Sequence, residues 1–368
     1  MSWQKELAEN LHQLNQLESY FPDLVKDKRT SEELLSRYPM SIPTYYFSLI
    51  DQDNPEDPIR KMCVPSFEEM DVSGTFDTSG ESDNTVITGM QHKYRQTALI
   101  LSTNRCAMYC RHCFRKRMVG LSDQEVAKHF DEIMEYIRAH EEITNVLVSG
   151  GDAFLNSNEV LEKYLAQLSA IEHLDLIRFG TRLPVVFPHR ISEDEELLDL
   201  LRTYGAKKQI YVVTQFNHPN EITPESVKAI QKMREAGVIV KNQTVLLKGV
   251  NNDPDVLGLL IRKLTRVGVV PYYIFQCRPV ASVKNHFQIP LLEGYDIVEK
   301  AKQQQNGQGK CLKYILSNHD GKIEIVGKTG ADTMLFKYHQ AKLPENQGKL
   351  FSVELTPTDC WVEAEIAK

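Results

Sequence analysis

No stretch of this 368-residue chain comes near the ~20 consecutive apolar residues of a membrane-spanning helix. No basic excess exists either: 43 Lys and Arg stand against 50 Asp and Glu, giving a net charge of −7. That balance argues against a nucleic-acid partner. Cysteine is sparse, with 7 residues spread along the chain, which excludes a disulfide framework and points to a reducing cytoplasm. The opening residues MSWQKELAEN are charged and lack an apolar core, so no secretion signal is expected there. Low-complexity tracts and internal repeats are also missing. What is present is ordinary globular composition, 42% hydrophobic and 25% charged, long enough for one large α/β barrel or two modest domains.

Three of the cysteines lie in the run Cys106-Ala-Met-Tyr-Cys110-Arg-His-Cys113. Thiolates are the usual ligands of iron–sulfur clusters, and a full set is four. Three at C-x3-C-x2-C spacing would hold three irons of a [4Fe–4S] cluster and leave the fourth iron open to a ligand, as catalytic metal sites leave a position open. A zinc site is the alternative, but it needs a fourth ligand, and His112 would have to fold back to provide it. A redox Cys110-x-x-Cys113 pair is another, with Cys106 then unexplained. Cys63, Cys277, Cys311 and Cys360 read as buried apolar residues.

Along the chain, residues 1–20 read as an amphipathic helix with Leu7, Leu11, Leu14 and Leu17 on one face, and 31–37 as a second helix capped by Thr30 or Ser31. Residues 51–90, rich in Asp, Pro, Gly and Ser, read as a largely irregular connection. Apolar runs at 98–102, 145–149, 174–179, 209–213, 238–247 and 270–275 alternate with helical patterns near 122–140, 158–172, 192–203, 224–236, 254–267 and 291–303. Six strands each followed by a helix predict an α/β fold with a parallel sheet: a partial (β/α)6 TIM barrel, with a doubly wound sheet as alternative. The expected division is an N-terminal helical and irregular extension (1–90), the barrel (91–304) and a small β-containing tail (305–368). In the tail, residues 313–317 and 322–326 flank Asn318-His-Asp-Gly321 as a hairpin, and 350–355 read as a further strand.

Every polar motif falls after or at the end of one of these strands, where such barrels build active sites. Ser149-Gly150-Gly151-Asp152 offers glycines for close backbone approach and a carboxylate for a ligand ammonium, although an ordinary turn gives the same pattern. Phe216-Asn-His-Pro-Asn-Glu221 reads first as a polar loop leading to a helix start at Thr223-Pro-Glu, and second as a metal or acid–base cluster. Arg111, Arg115, Lys116 and Arg117 beside the cysteines are placed to take an anionic ligand.

The run Cys106 to Arg117 closely resembles the cluster motif of the radical SAM lysine 2,3-aminomutase family. So do Asp57-Pro-Ile-Arg60, His92-Lys-Tyr94, Ser149-Gly-Gly-Asp152, Arg182-Leu-Pro-Val-Val, Phe216 to Glu221, Asn242 to Asn251 and Pro271-Tyr-Tyr-Ile, in family order. The resemblance implies a radical SAM partial barrel whose cluster is held by Cys106, Cys110 and Cys113. S-adenosylmethionine (SAM) would chelate the open iron, with Ser149, Gly150, Gly151, Asp152 and Gln243 near it. Gln215 stands where the family's lysine enzymes carry a SAM-contacting histidine. Arg115 matches the arginine that grips the substrate carboxylate. The sequence also departs from the family. The segment bearing the pyridoxal-phosphate lysine looks deleted, and Thr97 replaces a phosphate-holding arginine. Arg278 replaces the aspartate that reads the distal amine of lysine, and the cysteine-rich zinc tail is missing. Lys328, in Gly327-Lys328-Thr329, is the displaced candidate for pyridoxal phosphate, a cofactor that two altered parts of its site argue against.

The expectation is thus a cytoplasmic radical SAM enzyme that cleaves SAM and abstracts hydrogen from a small amino-acid-like substrate other than lysine, with Arg115 and Arg278 as its catalytic contacts. An electron donor such as flavodoxin or ferredoxin is implied; nucleic acid and membrane are not, and an oligomer is left open. A pyridoxal-dependent aminomutase of non-lysine specificity and a non-catalytic cluster-binding protein are the alternatives.

Overall fold

A computed structural model describes residues 3–25 and 27–363. Twelve strands form one sheet in sequential order. They are β1 (Thr85–Ile87), β2 (Met90–Tyr94), β3 (Thr97–Thr103), β4 (Asn145–Gly150), β5 (Leu176–Gly180), β6 (Gln209–Thr214), β7 (Ile239–Leu246), β8 (Val270–Gln276), β9 (Lys313–Asn318), β10 (Gly321–Lys328), β11 (Thr333–Ala341) and β12 (Leu350–Glu354). Strands β3 to β8 pair in parallel, each register following the last. These are the six strands read from the apolar runs. Such strands are covered on both faces and lose the polar alternation of a half-exposed sheet.

The sheet is not closed by strand pairing: β1 and β12 are its two ends. The expected hairpin forms between β9 and β10, but β9 also pairs with β8 in parallel, adding a seventh parallel strand. Across the remaining gap, Lys93 of β2 donates to the carbonyls of Asn318 (2.5 Å) and Ser79 (2.9 Å).

Helices Asn158–Ser169, Glu195–Gly205, Pro224–Glu235, Pro254–Arg266 and Leu291–Gln303 match their patterns, whereas 122–140 shortens to Phe130–Ala139. Thr223 caps Pro224–Glu235 by accepting from Ser226 N at 3.1 Å. The core is continuous from the helices through the strands, with Ile100, Val146, Ile177, Val212 and Ile274 at or near zero exposure.

The N-terminal extension differs from expectation. The predicted 1–20 helix is a short helix, Trp3–Leu7, followed by the turn Leu14–Gln16. Its cause is Asn10, whose buried amide donates to Ser41 Oγ and Ala107 O, while Leu11 bridges Ile42. Tertiary hydrogen bonds thus replace a helical turn. The helix expected at 31–37 starts at Lys28, after the short helix Pro22–Val25, and is capped by Asp27 rather than by Thr30 or Ser31. Within 51–90 the chain holds a helix, Pro58–Cys63, and the turn Phe67–Met70, so the connection is more ordered than its composition suggests.

Candidate active site

Inward residues recur with period two along the strands, as the pleat requires. They enclose one cavity of about 600 Å³, within the range of small-molecule sites. Cys106, Cys110 and Cys113, on the loop after β3, line its mouth. So do Ser149, Gly150, Gly151, Asp152, Gln215, Gln243, Arg115 and Arg278. The structure therefore brings the residues expected at the cluster, the SAM position and the substrate to one space.

The glycine pair has a specific local job. Gly150 has φ +115°, and a Cβ there would collide with Thr103 O; a Cβ at Gly151 would collide with Arg105 O. Gly151 N and Asp152 N donate to those same carbonyls at 2.6 and 2.8 Å. The close approach is to the cysteine loop itself, so the pair sets where that loop begins. Asp152 accepts from Phe154 N (3.1 Å) and Arg182 N (2.7 Å). Burial raises its carboxyl to about 6 against the pull of those donors.

Among the described residues, the three sulfurs do not gather within 4.8 Å of one another, whereas His92, His140 and Glu142 do so elsewhere. A single tetrahedral zinc at ~2.3 Å from each sulfur would need them closer. The three thiols are therefore not preset for a single zinc ion. His112 turns away from them: its Nε2 lies 3.3 Å from Gln215 Oε1 and 3.2 Å from Asn217 Nδ2. Burial, then the Arg182 charge, pushes its pKa down to about 3, so it is neutral. Burial raises the Cys106 thiol well above its usual range and Cys113 to about 11. Metal binding to these thiols would thus release protons.

Arg182, at the end of β5, was not singled out as a site residue. Its Nη1 donates to Cys110 Sγ at 2.8 Å, Nε to Gln215 O at 3.0 Å and Nη2 to Glu221 Oε1 at 2.5 Å. Were Cys110 to bind a cluster, a cation held on its sulfur would be one of the levers on the cluster's potential. Its position beside Thr181 at a strand end was the available signal. Glu221 accepts in addition from Tyr46 Oη and from the amides of Asn217 and His218. The Phe216–Glu221 motif is therefore a buried brace, not an acid–base cluster.

The basic residues around the cysteines are corrected in one respect. Arg111 and Lys116 both bind Glu69, and Arg115 and Arg117 both bind Glu81. Burial would raise Glu69 and Glu81; the adjoining cations outweigh it and hold both at about 2. Arg111 and Lys116 are structural clamps between the cysteine loop and the 51–90 connection. Arg115 also donates to Gly150 O at 3.3 Å. Arg278 donates to Ser79 Oγ (2.9 Å) and lies 4.3 Å over the ring of Phe114.

Two other expectations change. Cys63 and Cys277 are buried, but Cys311 is exposed and Cys360 half-buried. Lys328 lies on the outside, both Asp296 oxygens 2.7 Å from its Nζ, and does not line the cavity. It does not fit a pyridoxal site.

A parallel barrel carrying three loop thiols over a cavity is the architecture of radical SAM proteins, and residues 100–260 match the Radical SAM superfamily. The chain is 40% identical over 340 residues to a putative L-lysine 2,3-aminomutase of Aquifex aeolicus, covering 92% of this chain and 90% of that one. It is 37% identical over 308 residues to the L-lysine 2,3-aminomutase of Clostridium subterminale, covering 83% and 73%. A glutamate 2,3-aminomutase of Clostridioides difficile is 39% identical over 284 residues, covering 77% and 66%. The chain belongs to the lysine 2,3-aminomutase family of radical SAM enzymes. Membership implies a [4Fe–4S] cluster and SAM. Among the described residues, no helix is long and apolar enough to cross a membrane.

Proposed function

We propose that the protein is a cytoplasmic radical SAM aminomutase-type enzyme acting on a small amino acid other than lysine. Cys106, Cys110 and Cys113 hold the cluster, and Ser149, Gly150, Gly151, Asp152, Gln215 and Gln243 border the SAM position. The reduced cluster and SAM together supply a carbon radical able to take hydrogen from an unactivated C–H bond. The residues of this chain do the rest. Arg182 holds Cys110 and braces the mouth. Arg115, steadied by Glu81, and Arg278, stacked on Phe114, face the substrate.

The observation that carries this reading is the junction of three thiols with Arg278 in one cavity whose two carboxylates are already engaged. Glu81 binds Arg115 and Arg117, and Asp152 binds backbone amides. A lysine ammonium would find no carboxylate there, and an unpaired buried charge is costly. A dicarboxylic amino acid such as glutamate meets two guanidinium groups instead. A flavodoxin- or ferredoxin-class protein is the fitting electron donor, and 1–90, 91–304 and 305–368 are the working divisions of the chain. The test is anaerobic SAM cleavage: reduced, iron-loaded protein yields 5′-deoxyadenosine slowly without substrate. No deoxyadenosine from fully loaded protein would favour a non-catalytic cluster protein.

A pyridoxal-dependent variant of this reading is favoured by one observation. Lys322 lines the cavity, and burial followed by the charges of Arg178, Lys93 and Arg278 drives its amine well below the usual lysine range. Borohydride reduction after incubation with pyridoxal phosphate, followed by peptide mass mapping, tests it through a mass increment on Lys322.

A further inference from the structure

Below the SAM-bordering residues the cavity changes character. Arg178 and Lys241 each sit two residues before one of the upper inward positions, Gly180 and Gln243, hence about 7 Å deeper along the strand axis. From the opposite wall come Lys93 of β2 and Lys322 of β10, and Arg278 follows β8. Of the seven Arg and Lys side chains lining the cavity, Arg115 and Arg182 have carboxylate partners; these five have none among the described residues.

The five are half-buried, and their open surface is the cavity itself. Neutral groups accommodate them only in part. Lys322 donates to Gln340 Oε1 at 2.8 Å and lies 4.3 Å from the Tyr94 ring centre. Lys241 lies 4.6 Å from the ring of Tyr272 and 5.2 Å from that of Tyr211. Arg178 Nε and Gln91 Nε2, both on the cavity wall, are buried without a partner. Both are donors. Basic groups gathered without a carboxylate, two donors among them unpartnered, cost free energy in the empty protein, and a ligand with several anionic oxygens relieves that cost.

We propose that the lower half of this barrel binds a multiply charged oxyanion, a phosphate ester or a polycarboxylate, through Arg178, Lys241, Lys322 and Lys93, with Arg278 above them at the rim. The proposal rests on the function above only in placing the substrate in this cavity. A lone α-carboxylate, already offered Arg115 at the mouth, leaves the deeper cations unmatched. The substrate class is therefore an acid with its second anionic group buried at the barrel floor.

Binding tests this without any chemistry. Full-length, iron-loaded protein is titrated calorimetrically at low salt with inorganic pyrophosphate, citrate and lysine, and its thermal midpoint is followed. Expected are binding of pyrophosphate or citrate with a raised midpoint, no response to lysine, and weakening by roughly tenfold or more in Lys322→Met and Arg178→Met. Pyrophosphate alone identifies the phosphate class, and citrate alone the polycarboxylate class. The ligand-free Arg178→Met variant should melt higher than wild type, because a repulsive charge has gone. Were the cations only structural, both variants would melt lower and no anion would stabilise the wild type; that outcome, or tighter binding of lysine than of either anion, overturns the proposal. Failure of the proposed reaction would instead show as absent deoxyadenosine with anion binding intact.

Discussion

At the mouth of the barrel, two carboxylates from the N-terminal connection hold four cations: Glu69 takes Arg111 and Lys116, and Glu81 takes Arg115 and Arg117. Deeper in the same cavity, Arg178, Lys241 and Lys322 face one another with aromatic rings and an amide as their company. The mouth must stay in one shape to present three sulfurs, and its charges are satisfied within the protein. The floor is built for something that arrives. Like residue types thus serve rigidity in one half and ligand capture in the other, and the difference lies wholly in where the carboxylates are.

The largest effect that would break this contrast is loss of the cluster. Changing Cys106, Cys110 or Cys113 to Ala should remove nearly all iron, because two thiolates remain for a group that already lacks a fourth. Cys277 also lines the cavity, yet Cys277→Ala should keep iron near wild type. Equal iron loss in Cys277→Ala and Cys110→Ala, measured by iron assay and visible absorption, would refute the ligand assignment.

Next in size is the mouth clamp. Glu69→Ala leaves two buried cations unpaired and should cost about 3–5 kcal/mol in urea unfolding. The opposite sign is expected at the floor, as for Arg178→Met above. A destabilisation at both places would erase the distinction.

Titration sharpens it further. Glu69 and Glu81 are depressed from 4.5 to about 2, so their contribution is present above pH 4.5 and is lost as pH falls towards 2. At the floor, burial and the charges of Arg278 and Lys342, opposed by Asp320 and Glu81, lower Lys93 from 10.5 to about 7. The unfolded chain then holds a proton that the folded one lacks between pH 7 and 10.5, so this group adds stability as pH rises through that window. Urea midpoints of wild type and Lys93→Met against pH would show the rise only in the former.

How much of this was legible in the sequence follows from the same contrast. The strands at 98–102 and 145–149 were visible because parallel strands buried on both faces are apolar runs, and the cysteine loop was visible through its spacing. The clamps were not: Glu69 and Glu81 lie some 30–50 residues upstream in a stretch whose composition signals only irregular chain. Arg182 was visible as the start of a family motif, but nothing local says that its guanidinium reaches Cys110. The floor was hidden for a subtler reason. A lone Arg178 or Lys241 within an apolar run looks like a solvent-facing position, and only the curvature of the sheet turns that face inward. Asn10 misled in the other direction, since its buried hydrogen bonds to Ser41 and Ala107 interrupt a leucine pattern that reads as continuous helix.

The smallest expected effect is at Gln243, a cavity residue proposed to border SAM. Gln243→Ala should leave iron content unchanged and weaken SAM binding by about tenfold or less, the worth of one hydrogen bond. Iron loss in this variant would place Gln243 in the scaffold of the mouth instead.

The most direct test of the central claim compares substrates in one assay. Reduced, iron-loaded protein with SAM is given lysine, arginine, aspartate and glutamate side by side, and 5′-deoxyadenosine is measured. The account predicts stimulation by the dicarboxylic amino acids and none by lysine, with the preference weakened in Arg278→Asp. Lysine stimulating above the others, unaffected by Arg278→Asp, would contradict it.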